Sequence, residues 1–196
     1  MSDLTSLQLF AVYLGGRVLG CNIELHDVVF VVGHTVEETY PQLIKKWFGN
    51  NNRLHIDSYV ALHHVDGHRI TLQPSTSVLP QPQQQHLYFV NYGGYRENHF
   101  GELHDMAFYV DENKANVRKR SNAVLGLDLF QKHLDDHIKI TDHIGRTTER
   151  NVDDIIELSQ VDGYTICLEP STAGSTLEIH SGYHKIIDNK PAVEKI

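Results

Sequence analysis

The 196-residue chain is poor in several features that mark particular classes of protein. Its two cysteines, Cys21 and Cys167, are too few for a disulfide framework, so we expect reduced thiols in a cytoplasmic protein. No apolar run approaches the roughly 20 residues of a membrane span. The N-terminal segment has neither a basic start nor a small-residue cleavage site, so no secretory leader is expected.

Positive charge is also scarce. The 17 lysines and arginines are outnumbered by 25 aspartates and glutamates, which gives a formal net charge of −8. On average such a chain repels nucleic acids and anionic membranes, and we expect neither as a partner. The 14 histidines make the surface charge depend on pH between about 5 and 7.

Sequence signatures of the common enzyme classes are missing as well. There is no serine nucleophile elbow, no catalytic Cys–His pattern and no Cys-x-x-Cys zinc pair. The glycine pairs at 15–16 and 93–94 are not followed by helices, so they predict tight turns rather than a P-loop. The alternative is a phosphate cradle of glycine amides assisted by Arg17 and Arg96.

What the sequence does contain is a second copy of part of itself. Residues 9–32 return 78 positions later, and 10 of these 24 positions are identical. Residues 56–76 match residues 152–172 at 10 of 21 positions. Because chance gives about one or two matches in such windows, the pattern indicates an internal duplication.

Each copy is predicted to fold as β-β-α-β-β. In the first copy, Leu9–Leu14 and Val28–Val32 have the apolar character of strands. Residues 35–38 have the form of a capping box that begins a helix, and Pro41 indicates a kink or a later start. The Asp-Gly pair at 66–67 predicts a hairpin turn, and Asp-Gly repeats at 162–163.

These elements predict an α+β fold of two tandem repeats packed about a pseudo-twofold axis, because one repeat is too small to cover its own apolar faces. The second helix is expected to begin near Asn113. The predicted segments are a first repeat at 1–76, a Pro/Gln linker at 77–86, a second repeat at 87–172 with a His/Asp-rich insertion within about 126–150, and a tail at 173–196 that supplies a possible edge strand.

Several short motifs together resemble a known family. They are Tyr-Leu-Gly-Gly at 13–16, Asn-Ile-Glu-Leu-His-Asp at 22–27, Tyr-Pro-Gln-Leu at 40–43, Trp-Phe-Gly at 47–49, Leu-His-Ile-Asp-Ser at 54–58, His-Val-Asp-Gly at 64–67 and Gly-Tyr-His at 182–184. Over residues 9–184 the chain resembles bacterial domain-of-unknown-function family 1543. The resemblance implies a bacterial cytoplasmic protein without an established activity, and it supplies no catalytic residue. The insertion after Gly126 departs from the family pattern.

The strongest candidate site is the motif Glu-Leu-His-Asp, which occurs at 24–27 and at 102–105. Because side chains alternate along a strand, Glu24 and His26 share one face with Phe30, which predicts that this face is turned to the core. A carboxylate beside an imidazole suits proton transfer or metal binding. The alternative is that both histidines have structural roles in their repeats.

Further binding candidates accompany these motifs. They are His104 with Glu102, the aspartates Asp27 and Asp105, the arginines Arg17 and Arg96, and the late pair Tyr183 and His184. In the insertion, His133 and His137 are four residues apart, which on a helix places both rings on one face at metal-ligand spacing. An exposed surface that binds metals adventitiously is the alternative for that pair.

The sequence favours a binding module without catalytic activity, recognising a protein or a small molecule at the interface between the repeats. The alternative is a metal-dependent or acid–base enzyme that uses Glu24, His26, Glu102 and His104. No cofactor is strongly indicated, although a divalent metal and a homo-oligomer are both compatible with the sequence.

Overall fold

The computed structural model describes residues 6–51, 53–77, 83–95, 98–124, 139–141, 147–174 and 177–186. The chain divides into two compact units. The first unit contains residues 1–77 and 160–196, and the second contains residues 78–159. None of the helices in the described ranges is long and apolar enough to cross a membrane.

Twelve strands and two α-helices are present in the described residues. In chain order they are β1 (Gln8–Gly16), β2 (Leu25–Gly33), α1 (Tyr40–Lys46), β3 (His55–Ala61), β4 (His64–Val65), β5 (His68–Pro74), β6 (His86–Tyr95), β7 (Leu103–Asp111), α2 (Lys114–Val124), β8 (Lys139–Thr141), β9 (Thr147–Leu158), β10 (Gln160–Val161), β11 (Tyr164–Pro170) and β12 (Ile179–Lys185). All strand pairings are antiparallel, so the fold is of the α+β class.

The main sheet of the first unit has the order β12-β3-β1-β2. Helix α1 covers one face of it and follows a short 3-10 helix, Glu37–Thr39. Pro41 lies in the first turn of α1, where its missing amide costs nothing, which is the later start that the sequence indicated. The Thr35 hydroxyl accepts a hydrogen bond from the Glu38 amide at 3.4 Å, which is half of the predicted capping box, while the Glu38 carboxylate accepts from the His34 amide at 3.0 Å.

The core of this unit lies between α1 and the main sheet. Its fully buried members include Val12, Leu14, Val31, Leu43 and Ile56. On β2 the helix-covered core therefore uses Val29 and Val31, and His26 is on the opposite face with Phe30 and Val32. The main core therefore lies on the face of β2 opposite to His26, and the prediction that the His26 face is turned to this core is wrong. Val28–Val32 is apolar throughout, so the sequence does not distinguish the two faces.

A second sheet of the first unit has the order β10-β11-β5-β4. Both of its hairpins turn at Asp-Gly, with positive φ at Asp66 (50°), Gly67 (72°), Asp162 (50°) and Gly163 (82°), so both predicted turns are confirmed. Asp162 also accepts a hydrogen bond from the Val32 amide at 3.1 Å and pairs with Lys46 at 2.8 Å. Residues 160–170, which the repeat assigns to the second copy, thus pack in the first unit because β11 pairs with β5.

The second unit contains one sheet with the order β7-β6-β9-β8 and helix α2. The Asn113 side chain accepts a hydrogen bond from the Asn116 amide at 2.9 Å, which caps the helix where the sequence predicted its start. The buried core of this unit comprises Tyr88, Val90, Tyr92, Tyr109, Val117 and Val152. The hydroxyl groups of Tyr92 and Tyr109 are 2.7 Å apart, so each of these two buried hydroxyls has a hydrogen-bond partner.

The first two strands of each unit pair with the same register. In the first unit the pairing runs from Gln8 opposite Gly33 to Gly16 opposite Leu25. In the second it runs from His86 opposite Asp111 to Gly94 opposite Leu103, so each partner is shifted by 78 positions. The arrangement of two repeats about a pseudo-twofold axis stays a prediction.

Candidate functional site

Strand pairing places two histidines beside one glycine in the first unit. Gly15 in the central strand β1 pairs with His26 on β2 and with His55 on β3. The register between β1 and β3 shifts by one residue between Tyr13 and Leu14, and a β-bulge produces a shift of this kind. Without this shift Ile56 rather than His55 would face Gly15, so the bulge is what brings the second imidazole to the site.

Two carboxylates complete the group, which we call the first cluster: Glu24, His26, His55 and Asp57. His26 Nε2 lies 3.2 Å from Asp57 Oδ2 and 3.8 Å from Glu24 Oε1. His55 Nε2 lies 3.3 Å from Asp57 Oδ1 and 3.9 Å from Glu24 Oε2. Both imidazoles therefore direct the same ring nitrogen at the same two carboxylates.

The orientation of His55 is held by its surroundings. Its Nδ1 lies 2.8 Å from the Arg53 carbonyl oxygen, which only accepts hydrogen bonds, so Nδ1 is the protonated nitrogen. In the neutral ring, Nε2 then presents its lone pair to the carboxylates. The Tyr183 ring covers His55 at a centroid distance of 4.4 Å, and only 4% of the His55 side chain is exposed.

His26 is held by stacking rather than by burial. The Tyr13 ring lies parallel to it at a centroid distance of 5.2 Å, with an interplanar angle of 7°. About a third of the His26 side chain is exposed, so the cluster is open to solvent on this side. Burial raises the pKa of Tyr13, and the negative charge of the nearby Asp57 raises it further.

Gly15 is necessary for this arrangement because any side chain there meets the cluster. A Cβ atom on Gly15 would lie 2.6 Å from His55 Nε2 and 2.7 Å from Asp57 Oδ2. Both distances are shorter than van der Waals contact. The glycine therefore has a steric role, and its backbone φ is not in the left-handed region.

The cluster carries uncompensated negative charge when its imidazoles are neutral. Among the described residues, Glu24 and Asp57 form ion pairs only with the two histidines, and no lysine or arginine pairs with either. Asp57 Oδ2 is buried and, although His26 Nε2 is 3.2 Å away, accepts no aligned hydrogen bond. A buried carboxylate oxygen without a donor is costly, which favours a bound cation.

A related group, the second cluster, lies in the second unit and comprises Glu102, His104 and Asp153. His104 Nε2 is 3.8 Å from Glu102 Oε2, and its Nδ1 is 3.7 Å from Asp153 Oδ2. The glycine between the strands is Gly93, which pairs with His104 and with Asn151. The position of His55 is thus occupied by asparagine, and the second cluster has one imidazole fewer.

The structure separates the sequence candidates into groups. Glu24, His26 and Tyr183 come together, as do Glu102 and His104. The others have separate roles: Asp27 lies on the opposite face of β2 from His26, Arg17 donates to the Asn22 carbonyl at 2.9 Å, Asp105 accepts from the Met106 amide at 2.8 Å, and His184 contacts the Tyr59 ring edge at 5.9 Å. Burial raises the pKa of Asp27, and a hydrogen bond from the Val28 amide opposes the shift.

Three candidates, Arg96, His133 and His137, lie outside the described residues. Sequence reasoning also missed two members of the first cluster, His55 and Asp57. Asp57 did carry a signal, because it is identical to Asp153 in the duplicated segment. Within the described ranges, no group of three or more His, Cys, Asp or Glu side chains, the first cluster included, has the geometry of a metal site as it stands. The predicted site between the repeats stays a prediction.

Comparisons with known proteins give a family but no activity. The family described as Domain of Unknown Function (DUF1543) matches residues 21–72. The crystal structure of a protein Il1583 from Idiomarina loihiensis is similar, with a TM-score of 0.67 and 32% sequence identity, covering 93% of this chain and 99% of that chain. No curated protein matches the chain. The family resemblance of the sequence is confirmed, and the chain belongs to the DUF1543 family of unknown function.

Proposed function

We propose that this protein is a non-enzymatic binding module whose first cluster holds a divalent cation of the zinc class. The observation that carries the proposal is the gathering of two imidazoles and two carboxylates around Gly15, at nitrogen–oxygen distances of 3.2–3.9 Å. Imidazole and carboxylate together suit zinc-class ions, whereas magnesium and calcium prefer oxygen alone.

The spacing of the donors supports this choice of ligand. Donors on one tetrahedral zinc ion lie about 3.3–3.6 Å apart, because each is about 2.0–2.2 Å from the metal. The contacts of Asp57, at 3.2 and 3.3 Å, have nearly this length but use different oxygens, Oδ2 toward His26 and Oδ1 toward His55, so the carboxylate must turn to present one oxygen to a shared ion. The two contacts of Glu24, at 3.8 and 3.9 Å, must close by a few tenths of an ångström. Glu24 is 46% exposed, so its carboxylate is able to rotate into place.

The hydrogen bond on the other nitrogen of the His55 ring supports the proposal as well. Histidines that bind metals usually donate their other ring N–H to a carbonyl or a carboxylate, which fixes the tautomer. His55 Nδ1 makes such a hydrogen bond to the Arg53 carbonyl. Tyr183 packs on the same ring, so the imidazole loses little additional freedom when it binds an ion.

Four donors favour binding over catalysis. Structural zinc sites have four protein ligands, whereas catalytic sites have three and keep one position for water or substrate. A cation held by the whole first cluster has its tetrahedral shell filled by the protein. The enzyme alternative requires that one donor stays away from the metal, and Glu24 is then the donor that leaves.

The second cluster provides an internal comparison. The equal register of β1–β2 and β6–β7 supports descent of the two units from one ancestral unit. Because Asn151 replaces the imidazole at the position of His55, we propose that the second cluster binds the same ion more weakly. An amide oxygen is a poorer ligand for zinc than an imidazole nitrogen.

Calorimetric titration of the untagged protein with zinc chloride tests the proposal. We expect one dominant site, and we expect His55→Asn, which makes the first cluster resemble the second, to weaken it by about tenfold or more. The reciprocal change Asn151→His should strengthen binding in the second unit. Magnesium chloride is the control titrant and should not compete. Equal zinc affinity of the wild type and His55→Asn would contradict the proposal.

A further inference from the structure

A second candidate binding region lies in the first unit, toward the other end of the main sheet. It is a cleft of about 470 Å³ that reaches from Phe10 and Tyr59 to the segment before α1 and to the start of β12. Phe10 and Gly15 are five residues apart on β1, so the cleft and the first cluster are separated by about 17 Å along the strand. The volume is within the range of small-molecule sites.

The inner wall of the cleft is apolar and aromatic. Phe10 is 3% exposed and packs edge-on against the Tyr59 ring at a centroid distance of 6.2 Å. His180 from β12 stacks on Tyr59 at 4.7 Å, so this strand helps to close the wall. Such a wall suits the flat apolar body of a small ligand, because aromatic side chains offer a large contact area.

Apart from its histidines, the cleft has two ionisable carboxylates and no lysine or arginine. Glu37 lies before α1 and Glu178 before β12. Neither carboxylate forms an ion pair with a basic side chain in the part of the chain that the structure describes. Burial, followed by the charges of Glu37 and Glu178, raises the pKa of Tyr59, which indicates a negative potential at its hydroxyl group.

The cleft also contains four histidines, which are His34, His63, His64 and His180. Burial and the neighbouring His64 lower the pKa of His63, so this imidazole is neutral at neutral pH and does not cancel the carboxylates. His34 Nδ1 is buried and has no hydrogen-bond partner among the described residues. A buried ring nitrogen of this kind is typical of a site whose polar partner is a ligand or a water.

We propose that this cleft binds a small organic cation, an amine carried on an apolar body of about the size of a benzyl group. The apolar body packs against Phe10 and Tyr59, and the ammonium group is attracted by Glu37 and Glu178. An anionic ligand would meet two carboxylates and no lysine or arginine. The proposal is independent of the cation in the first cluster, because the two regions share no residue.

Benzylamine is the probe, and its binding is measured by NMR chemical-shift titration. The titration is done at about pH 8, where an alkylamine is protonated. We expect saturable shifts at the amides of Phe10 and Tyr59, and affinity about tenfold or more above that of benzyl alcohol, which has the same shape without the charge. The double variant Glu37→Gln/Glu178→Gln should lower the affinity for benzylamine by a similar factor. The double variant Glu112→Gln/Glu169→Gln loses the same charge outside the cleft, and its affinity for benzylamine should be unchanged.

Three results would overturn the proposal. If phenylacetate bound with the same affinity as benzylamine, charge would not select the ligand. If the benzylamine affinity were unchanged in Glu37→Gln/Glu178→Gln, the carboxylates would have no part in binding the ligand. If the amides of Phe10 and Tyr59 showed no saturable shifts, the cleft would not be the binding site. Both carboxylates are exposed, so these variants should fold normally, and the melting temperature checks this.

Discussion

Gly15→Ala is expected to weaken zinc binding in the first unit by about 100-fold. The added Cβ would lie 2.6 Å from His55 Nε2 and 2.7 Å from Asp57 Oδ2, so it displaces two donors of the first cluster at once. Loss of correct positioning costs about tenfold or more for each ligand. Crowding at this position should also lower the free energy of unfolding by about 1–3 kcal/mol. Zinc titration and urea unfolding measure the two effects.

The neighbouring glycine provides the matched control. A Cβ on Gly16 would lie 2.9 Å from Trp47 Cζ2, on the helix-covered face of the sheet. Gly16→Ala should therefore have a similar cost in stability but leave the zinc affinity of the first unit nearly unchanged. If Gly16→Ala and Gly15→Ala reduced zinc binding equally, the effect would arise from general destabilisation, and the steric account of Gly15 would be wrong.

Trp47→Ala is expected to lower the free energy of unfolding of the first unit by about 3–5 kcal/mol. Trp47 follows directly after α1, is 5% exposed and packs with Val12, Leu14 and Leu43 in the core. Its removal leaves a cavity beneath the helix. Since small domains are stable by about 5–15 kcal/mol, the variant should lose a large share of its stability. Urea unfolding followed by circular dichroism is the measurement, because Trp47 is the only tryptophan.

Phe48→Ala is the control for this prediction. Phe48 is the next residue, is 57% exposed and contacts the Trp47 ring at a centroid distance of 4.5 Å. Its loss removes one aromatic contact and little buried area, so we expect a cost of about 1 kcal/mol or less. A cost for Phe48→Ala as large as that for Trp47→Ala would contradict the assignment of Trp47 as the core residue.

The parts of the fold that could be predicted from sequence depend on short-range signals. The Asp-Gly pairs at 66–67 and 162–163 specify turns because these residues tolerate positive φ. The capping residue Asn113 and the late helix start at Pro41 depend on groups within one helical turn. Each of these predictions needs only a few neighbouring residues, and each is confirmed.

The parts that could not be predicted depend on pairing between distant strands. His55 reaches the first cluster only because the register of β1 and β3 shifts between Tyr13 and Leu14. A bulge of this kind is determined by both strands together. The same holds for β11, whose hairpin is evident in the sequence but whose partner, β5, is about 100 residues earlier.

The candidate site was half visible in the sequence. The repeated Glu-Leu-His-Asp motif identified Glu24 and His26, which do come together: Glu24 precedes β2, and its carboxylate lies 3.8 Å from His26 Nε2. His55 and Asp57 both belong to the family motif at 54–58, and Asp57 is also identical to Asp153, but neither observation predicted that they lie beside Glu24. His55 has no equivalent in the second copy, since Asn151 occupies its position. Comparison of the two similar segments thus indicates only the residues they share, whereas the approach of His55 to the first cluster depends on the pairing of β1 with β3.

Zinc-edge anomalous diffraction from crystals grown with one equivalent of zinc tests the central claim most directly. The account predicts the strongest anomalous peak among Glu24, His26, His55 and Asp57, within about 2.3 Å of both Nε2 atoms. A weaker peak at the second cluster is consistent with the missing imidazole. Strong peaks only at other surface histidines, with none at the first cluster, would contradict the account.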